Sequence, residues 1–198
     1  MKLTTAGESH GKALIAVIEG LPAHLEIDVG QIDRELALRQ SGFGRGARQK
    51  IEADRAEILT GVRNGETLGS PVTLCIYNKD YENWRPYMSD GACDVSARTV
   101  TRVRPGHADL SGMLKFGQSD ARNILERASA RETAIRVAAG GVFKSYLSAL
   151  GVEIGKVFDN RDHSTVLYSL KQVEKQMKKD PAFAETVKEI KTNINNRH

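Results

Sequence analysis

Two histidines of this chain occupy turns that can present them to a ligand. His10 lies in Thr5-Ala-Gly-Glu-Ser-His-Gly11, where glycines flank Glu8, Ser9 and His10 and let the backbone turn tightly. His107 follows the Pro105-Gly106 turn in Arg102-Val-Arg-Pro-Gly-His-Ala-Asp-Leu110. An imidazole exchanges protons near neutral pH, so each is a candidate general acid. Glu8-x-His10 and His107-x-Asp109 lack the spacing of a recognised metal site, and metal binding is not expected. Two arginine-bearing runs supply anion chemistry. In Arg39-Gln-Ser-Gly-Phe-Gly-Arg-Gly-Ala-Arg48, glycines allow close approach of the backbone while guanidiniums grip phosphate or carboxylate in bidentate fashion. The run does not have the order of a phosphate-cradling Walker loop. In Arg127-Ala-Ser-Ala-Arg-Glu-Thr-Ala-Ile-Arg-Val-Ala-Ala-Gly-Gly141, Ser129 and Glu132 stand at the spacing of a capping box, with Arg127 and Arg131 around the helix start. Each run alone also fits something plainer: a surface turn, a solvated loop or a capped core helix.

The elements that must position these residues follow from periodicity and punctuation. Ala13–Leu21 is apolar and β-branched and reads as a strand closed by Gly20-Leu-Pro22. Asp28 and Gln31 cap a helix through Arg39 that ends near Ser41-Gly42. Lys50–Leu59 alternates, with Ile51, Ala53 and Ile58 as its apolar positions, and reads as a strand. A turn at Gly61–Gly65 and a second strand at Pro71–Tyr77 complete an antiparallel pair. Tyr81–Val95 is turn-rich, reads as an exposed loop and carries the single tryptophan, Trp84, expected to pack against the domain. Asp109 is the expected N-cap of a short helix through Phe116. The helix Arg131–Leu150 carries Ala134, Ala138 and Gly141 at helical spacing, which lets another backbone pack closely. Val152–Phe158 reads as a strand. Beyond it, Leu167, Leu170, Val173 and Met177, then Phe183, Val187, Ile190 and Ile194, form two helical stripes separated by Asp180-Pro181.

Composition bounds the rest. A length of 198 residues suits one domain or a large part of one. Hydrophobic residues at 40% and charged residues at 27% are ordinary for a globular chain, and a net charge of +4 favours anionic ligands without indicating nucleic acid. Cys75 and Cys93 are too few and too far apart for a disulfide framework, so a reducing cytoplasm is the expected compartment. The N-terminus has no apolar signal core, and no window is long enough to span a membrane. An RNA-binding reading of Arg39–Arg48 ranks last, because Phe43 is the only aromatic in that run.

Taken together and in order, Gly7-Glu-Ser-His-Gly11, Arg39-Gln-Ser-Gly through Arg45, Arg104-Pro-Gly-His-Ala-Asp109 and Arg127-Ala-Ser-Ala-Arg-Glu-Thr-Ala134 resemble the chorismate synthase family. The resemblance spans about residues 3–160. It implies an α+β fold, part of a β-α-β sandwich with an antiparallel sheet packed on a central helical layer. It also implies division into 1–160 as the first half of such a domain and 161–198 as a helical insertion or tail. The implied reaction is 1,4-anti elimination of phosphate from 5-enolpyruvylshikimate 3-phosphate to give chorismate, with reduced FMN required and no net redox change. By the same resemblance His10 protonates the departing phosphate and His107 serves the reduced flavin. Arg39, Arg45 and Arg131 bind substrate, and Ser9, Arg104, Arg127, Ala128 and Ser129 lie on the cofactor. A homotetramer is implied. The family's second half, with an Asn/Thr/Gly-rich flavin segment and a Gly-Arg-His-Asp-Pro motif, has no counterpart in these residues. The chain therefore reads as an N-terminal portion or truncated form of such an enzyme. The alternative is a catalytically incomplete module that binds flavin or phosphoanion, or mediates oligomerisation.

Overall fold

A computed structural model describes residues 1–41 and 51–150 and, toward the C-terminus, 172–173, 175–181 and 183–188. The chain divides into two compact units, Met1–Leu150 and Gly151–His198. The first is α+β. Its main sheet contains β1 (Lys2–Ala6), β2 (Ala13–Glu19), β4 (Glu57–Thr60) and β7 (Val72–Tyr77) in the order β1-β2-β7-β4, all antiparallel. A smaller sheet has the order β3-β6-β5, from β3 (Ala23–Glu26), β5 (Val62–Arg63) and β6 (Glu66–Leu68). Asn64 and Gly65 join β5 to β6 with φ of 53° and 82°, the pair of positive values that a two-residue hairpin turn of matching twist requires.

The period of two along β2 decides which face is covered. Leu14, Ala16 and Ile18 are fully buried and stand opposite Ile76, Leu74 and Val72 of β7. A helix, α5 (Thr133–Ala149), lies on this face through Ala134, Ile135, Ala138, Ala139 and Val142. Against α5 packs α1 (Val29–Ser41), which buries Ile32 and Leu36. Each fully buried Leu or Ile contributes about 1.5–3 kcal/mol, so this sheet-on-helix layer is the main source of stability. The small residues expected to admit a second backbone do so. A side chain at Gly141 would come within 2.9 Å of Ile32 Cγ1 and 3.1 Å of Ile32 Cα.

Several expectations change. Only Glu57–Thr60 of the segment read as a strand from Lys50 is β-structure among the described residues. Upstream the alternation is real but its phase is reversed. Glu52, Asp54 and Ala56 are buried, whereas Ile51 is 52% exposed. The carboxylates turn inward because buried cationic and N–H partners await them there. Tyr81–Val95 is not a simple loop, since α2 (Tyr81–Met88) occupies its first half despite Pro86 inside the helix. Trp84 anchors α2 by tertiary contact, which overrides the missing backbone donor. The capping box is only half formed. Ser129 Oγ accepts from the backbone N–H of Arg131 at 3.2 Å, and a 3₁₀ turn, Ala130–Glu132, precedes α5. The Glu132 carboxylate turns instead to Thr5 and Arg136.

Two smaller helices, α3 (Asp109–Phe116) and α4 (Arg122–Leu125), lead into α5. Asp28 does cap α1. Its carboxyl is held below the ordinary carboxylate range by the backbone N–H of Gln31 and by Arg34. In the second unit Asp180 Oδ1 accepts from the Phe183 backbone N–H at 3.1 Å, an N-cap with Pro181 in the first helical position. Val173, Met177, Phe183 and Val187 are half-buried, as the stripes require, while Lys175, Gln176, Glu185 and Thr186 are exposed. The strand read at Val152–Phe158 lies outside the described residues, as do Leu167, Leu170, Ile190 and Ile194.

The α1–α5 contact gives a paired test. Gly141→Ala is expected to lower stability by about 1–3 kcal/mol through overpacking against Ile32. Gly140→Ala, whose new methyl meets nothing within 4 Å, is expected to raise stability by about 0.4–1 kcal/mol. Urea midpoints of the two variants check both signs.

Candidate functional site

The His10 turn is built by its glycine. Gly7 has φ of 110°, and any Cβ there would strike the Ala13 carbonyl. Asn78 Nδ2 then ties the turn closed by donating to the carbonyls of Glu8, at 3.1 Å, and Gly11, at 2.7 Å. Glu126 grips the turn from the side. Its carbonyl accepts from Ser9 N–H at 2.9 Å and its carboxylate accepts from His10 N–H at 2.8 Å. Nδ1 of His10 lies 2.9 Å from both Glu126 carboxylate oxygens. Nε2 lies 4.0 Å from Asp80, beyond hydrogen bonding. Trp84 stacks on the imidazole, with ring centroids 3.9 Å apart and planes at 27°. The guanidiniums of Arg98 and Arg122 lie 4.9 and 5.1 Å from the same indole, within cation–π range. Burial of Glu126 by itself raises its pKa, but hydrogen bonds from His10 and Arg122 outweigh it and hold the carboxyl below its usual range.

Asn78 links this turn to a second cluster, because its Oδ1 accepts from Arg131 Nε at 2.8 Å. Arg131 is 7% exposed, and its Nη1 meets both oxygens of Asp54, at 2.6 and 2.7 Å. Glu52 lies 3.5 Å from Nη2 and accepts the backbone N–H of Lys79 at 3.0 Å. Arg39 closes the cluster, donating from Nη1 to Asp54 at 3.4 Å, from Nε to Thr133 Oγ1 at 3.0 Å and from Nη2 to the Ala130 carbonyl at 3.1 Å. Thus Arg39 and Arg131, far apart in sequence, share one carboxylate.

Arg127 lies on the other side of the same segment. Its Nη2 donates to the Thr5 carbonyl at 3.0 Å and Thr5 Oγ1 at 2.8 Å, and Nη1 pairs with Glu132 at 3.2 Å. Burial of Glu132 opposes ionisation, but Arg136, Thr5 and Arg127 together hold its pKa below the usual range. Arg127 and Ala128 also line a cleft of about 590 Å³ with Ala108, Lys115, Phe116 and Ile124. A larger cleft, about 1370 Å³, runs beside α2 past Glu8, Lys12, Tyr81 and Arg85, and the two share Asn123 as a lining residue.

The Arg104–Asp109 motif is a clamp, not a cap. The N-cap position of α3 belongs to Ala108 and makes no side-chain hydrogen bond. The fully buried Asp109 carboxylate accepts the Arg104 backbone N–H at 3.0 Å and its guanidinium at 2.9 Å twice. This closes the Pro105-Gly106 turn and leaves His107 exposed beside the cleft-lining Ala108.

The structure therefore gathers Ser9 and His10 against Glu126, joins Arg39 to Arg131, and sets Arg127 and Ala128 on the smaller cleft near the His107 turn. Ser129 is occupied in starting the 3₁₀ turn, and Arg104 is engaged with Asp109. Arg45 lies outside the described residues. Among described residues no group of three His, Cys, Asp or Glu can hold a metal ion, and no helix is long and apolar enough to cross a membrane. Sequence reading missed Glu52, Asp54, Asn78, Arg122 and Glu126 as site residues, whereas Trp84, expected to pack against the domain, packs on His10. The one available signal was the inward phase of Glu52 and Asp54, which hydrophobic alternation hides.

The clamp has a pH signature. Hydrogen bonding from Arg104 lowers the Asp109 pKa from 3.8 to about 2. A carboxyl whose folded pKa is depressed stabilises the fold above its unfolded pKa and loses that contribution as pH falls toward the folded value. Amide protection in α3 is expected to hold above about pH 4 and to fall between 3.8 and about 2. Asp109→Asn should weaken protection already at neutral pH, as hydrogen exchange read by NMR would show.

Comparison with known proteins identifies the family. The family model described as chorismate synthase matches residues 1–197. The chorismate synthase of Caldicellulosiruptor bescii is 56% identical over 171 residues, covering 83% of this chain and 45% of that protein. That of Desulforudis audaxviator is 60% identical over 155 residues, covering 78% of this chain and 40% of the relative. That of Aquifex aeolicus is 58% identical over 156 residues, with coverage of 78% and 39%. A crystal structure of chorismate synthase superposes with a TM-score of 0.54 at 47% identity, covering 76% of this chain and 35% of that one. The chain thus spans less than half the length of these relatives. With its motifs in order and its family model matched along almost the whole length, the chain belongs to the chorismate synthase family.

Proposed function

We propose that this chain serves the chorismate synthase reaction: 1,4-anti elimination of phosphate from 5-enolpyruvylshikimate 3-phosphate, giving chorismate, with reduced FMN as cofactor. The observation that carries the reading is His10, one nitrogen fastened by a buried carboxylate and the other left for a ligand. A substrate with one phosphate and two carboxylates calls for cations, and in this reading His10 donates a proton to the departing phosphate. A general acid of this kind contributes about 10²–10⁴-fold. Arg39, Arg45 and Arg131 belong to the substrate side of the reading. For Arg131, bound on both edges by Asn78 and Asp54, the role is to hold the site's shape and charge.

The smaller cleft suits FMN in kind. Ala108, Phe116, Ile124 and Ala128 offer apolar wall to a flat ring, and Lys115 and Arg127 offer charge to its phosphate. Arg127 and Ala128 would hold it there, with His107, Arg104, Ser9 and Ser129 as the further cofactor-side residues. Reduced FMN, when bound, would supply the transient electron donation that assists phosphate loss. The reading puts the chain in the shikimate route to aromatic amino acids, in the cytoplasm, as a homotetramer, with 1–160 as the N-terminal half of the domain and 161–198 as a helical insertion or tail.

Anaerobic turnover of the purified chain tests this. With dithionite-reduced FMN and 5-enolpyruvylshikimate 3-phosphate, absorbance should report chorismate, and His10→Ala should lower kcat by about 10²–10⁴-fold with little change in KM. Turnover indifferent to His10→Ala overturns the assignment of the acid. Flavin binding without chorismate overturns the catalytic reading and leaves a binding module.

A further inference from the structure

We propose that Glu126 is the positioning residue of His10, fixing the imidazole as the Nδ1–H tautomer so that Nε2 alone faces the ligand. The inference rests on the role given to His10 above and deepens it. Glu126 is 1% exposed, and all its contacts converge on one task. One carboxylate oxygen takes the His10 backbone N–H at 2.8 Å, both lie 2.9 Å from Nδ1, and Arg122 Nη1 holds Oε1 at 2.8 Å. An ionised carboxylate only accepts hydrogen bonds. Two donors besides the imidazole, one of them cationic, keep Glu126 ionised, so the proton between Glu126 and His10 resides on Nδ1. Rotation of the ring is resisted by Trp84, stacked 3.9 Å away and itself flanked by Arg98 and Arg122.

The charged groups facing the imidazole are Glu126 from the segment after α4 and Asp80 from the turn before α2. Arg122 and Arg98 act across the indole. In the proton-transfer step the imidazolium gives its Nε2 proton to a phosphate oxygen and becomes neutral. The Nδ1–H···Glu126 bond stays in place, and Glu126 remains a carboxylate throughout. Glu126 therefore carries no proton to the substrate. It selects which nitrogen does so, the part a buried carboxylate plays behind a histidine in hydrolytic triads.

The test reads the tautomer directly. Two-bond ¹⁵N–¹H correlation spectra of the chain, with His10→Asn assigning the His10 signals among the five histidines, should show neutral His10 protonated at Nδ1. Glu126→Gln, nearly isosteric but able to donate as well as accept, should give a mixture of tautomers. It should also lower kcat by about 10²-fold or more while KM changes little. Wild-type His10 protonated at Nε2 overturns the proposal, and this holds even if the variant does not fold. An unchanged tautomer in a folded Glu126→Gln protein also overturns it. Loss of the Nδ1–H tautomer in the variant, with no turnover in the wild type, upholds the positioning role and overturns the enzymatic reading on which it was built.

Discussion

A guanidinium buried with its counter-charges is the constraint on which the first unit depends. Arg131 enters the interior from the 3₁₀ turn before α5, where an unpaired cation is not tolerable. Asp54 answers its charge, Asn78 takes its Nε, and Glu52 stands beside its other edge. Removing one member of such a buried pair typically costs about 3–5 kcal/mol, because the remaining charge is stranded. The geometry of the pairing accordingly dictates the path of the chain. It pulls Glu52 and Asp54 inward against their hydrophobic pattern and ties Asn78, just past the end of β7, to the turn that precedes α5.

From Asn78 the constraint passes to the turn that carries His10. The same amide that accepts from Arg131 donates to the carbonyls of Glu8 and Gly11. On the opposite flank, Glu126 holds Ser9 and His10, and Thr5 is held by Arg127 and Glu132. Segment 126–132 thus acts as a rail that pins β1 at Thr5 and the β1–β2 connection at Ser9 and His10. A histidine on a glycine-bounded turn would otherwise sample many orientations, each lowering the fraction of time it spends ready for chemistry.

The arrangement also moderates the electrostatics. By count the motifs are rich in arginine, yet in the fold most of these charges are answered. Arg131 faces Asp54, Arg104 faces Asp109, Arg122 faces Glu126, and Arg127 and Arg136 share Glu132. Each guanidinium is thereby oriented by a carboxylate, and charges already oriented act on a ligand with less reorganisation than unpaired surface lysines would need. The field at the site is one of placed donors more than of excess positive charge.

The sequence by itself determined the local grammar: the glycine turns around His10 and His107, the β2 and β7 strands, helices α1 and α5, the Asp180-Pro181 helix start, and the small-residue face that receives Ile32. These are set by backbone dihedrals, by periodicity and by side-chain volume within a few residues, and they are legible without a partner. The four motifs in order were likewise enough to reach the family. Only the tertiary structure decided the polar partnerships. Nothing local tells Glu52 and Asp54 to face inward, Glu132 to leave Ser129 for Thr5 and Arg136, Asp109 to clamp Arg104 instead of capping α3, or Trp84 to form a helix and cover His10. Each choice is a competition among partners distant in sequence, decided by the cost of leaving a buried charge or donor unpaired. Glu126, one residue before the arginine motif that drew attention, shows why. Its significance lies in a histidine more than a hundred positions away, and only the fold brings the two together.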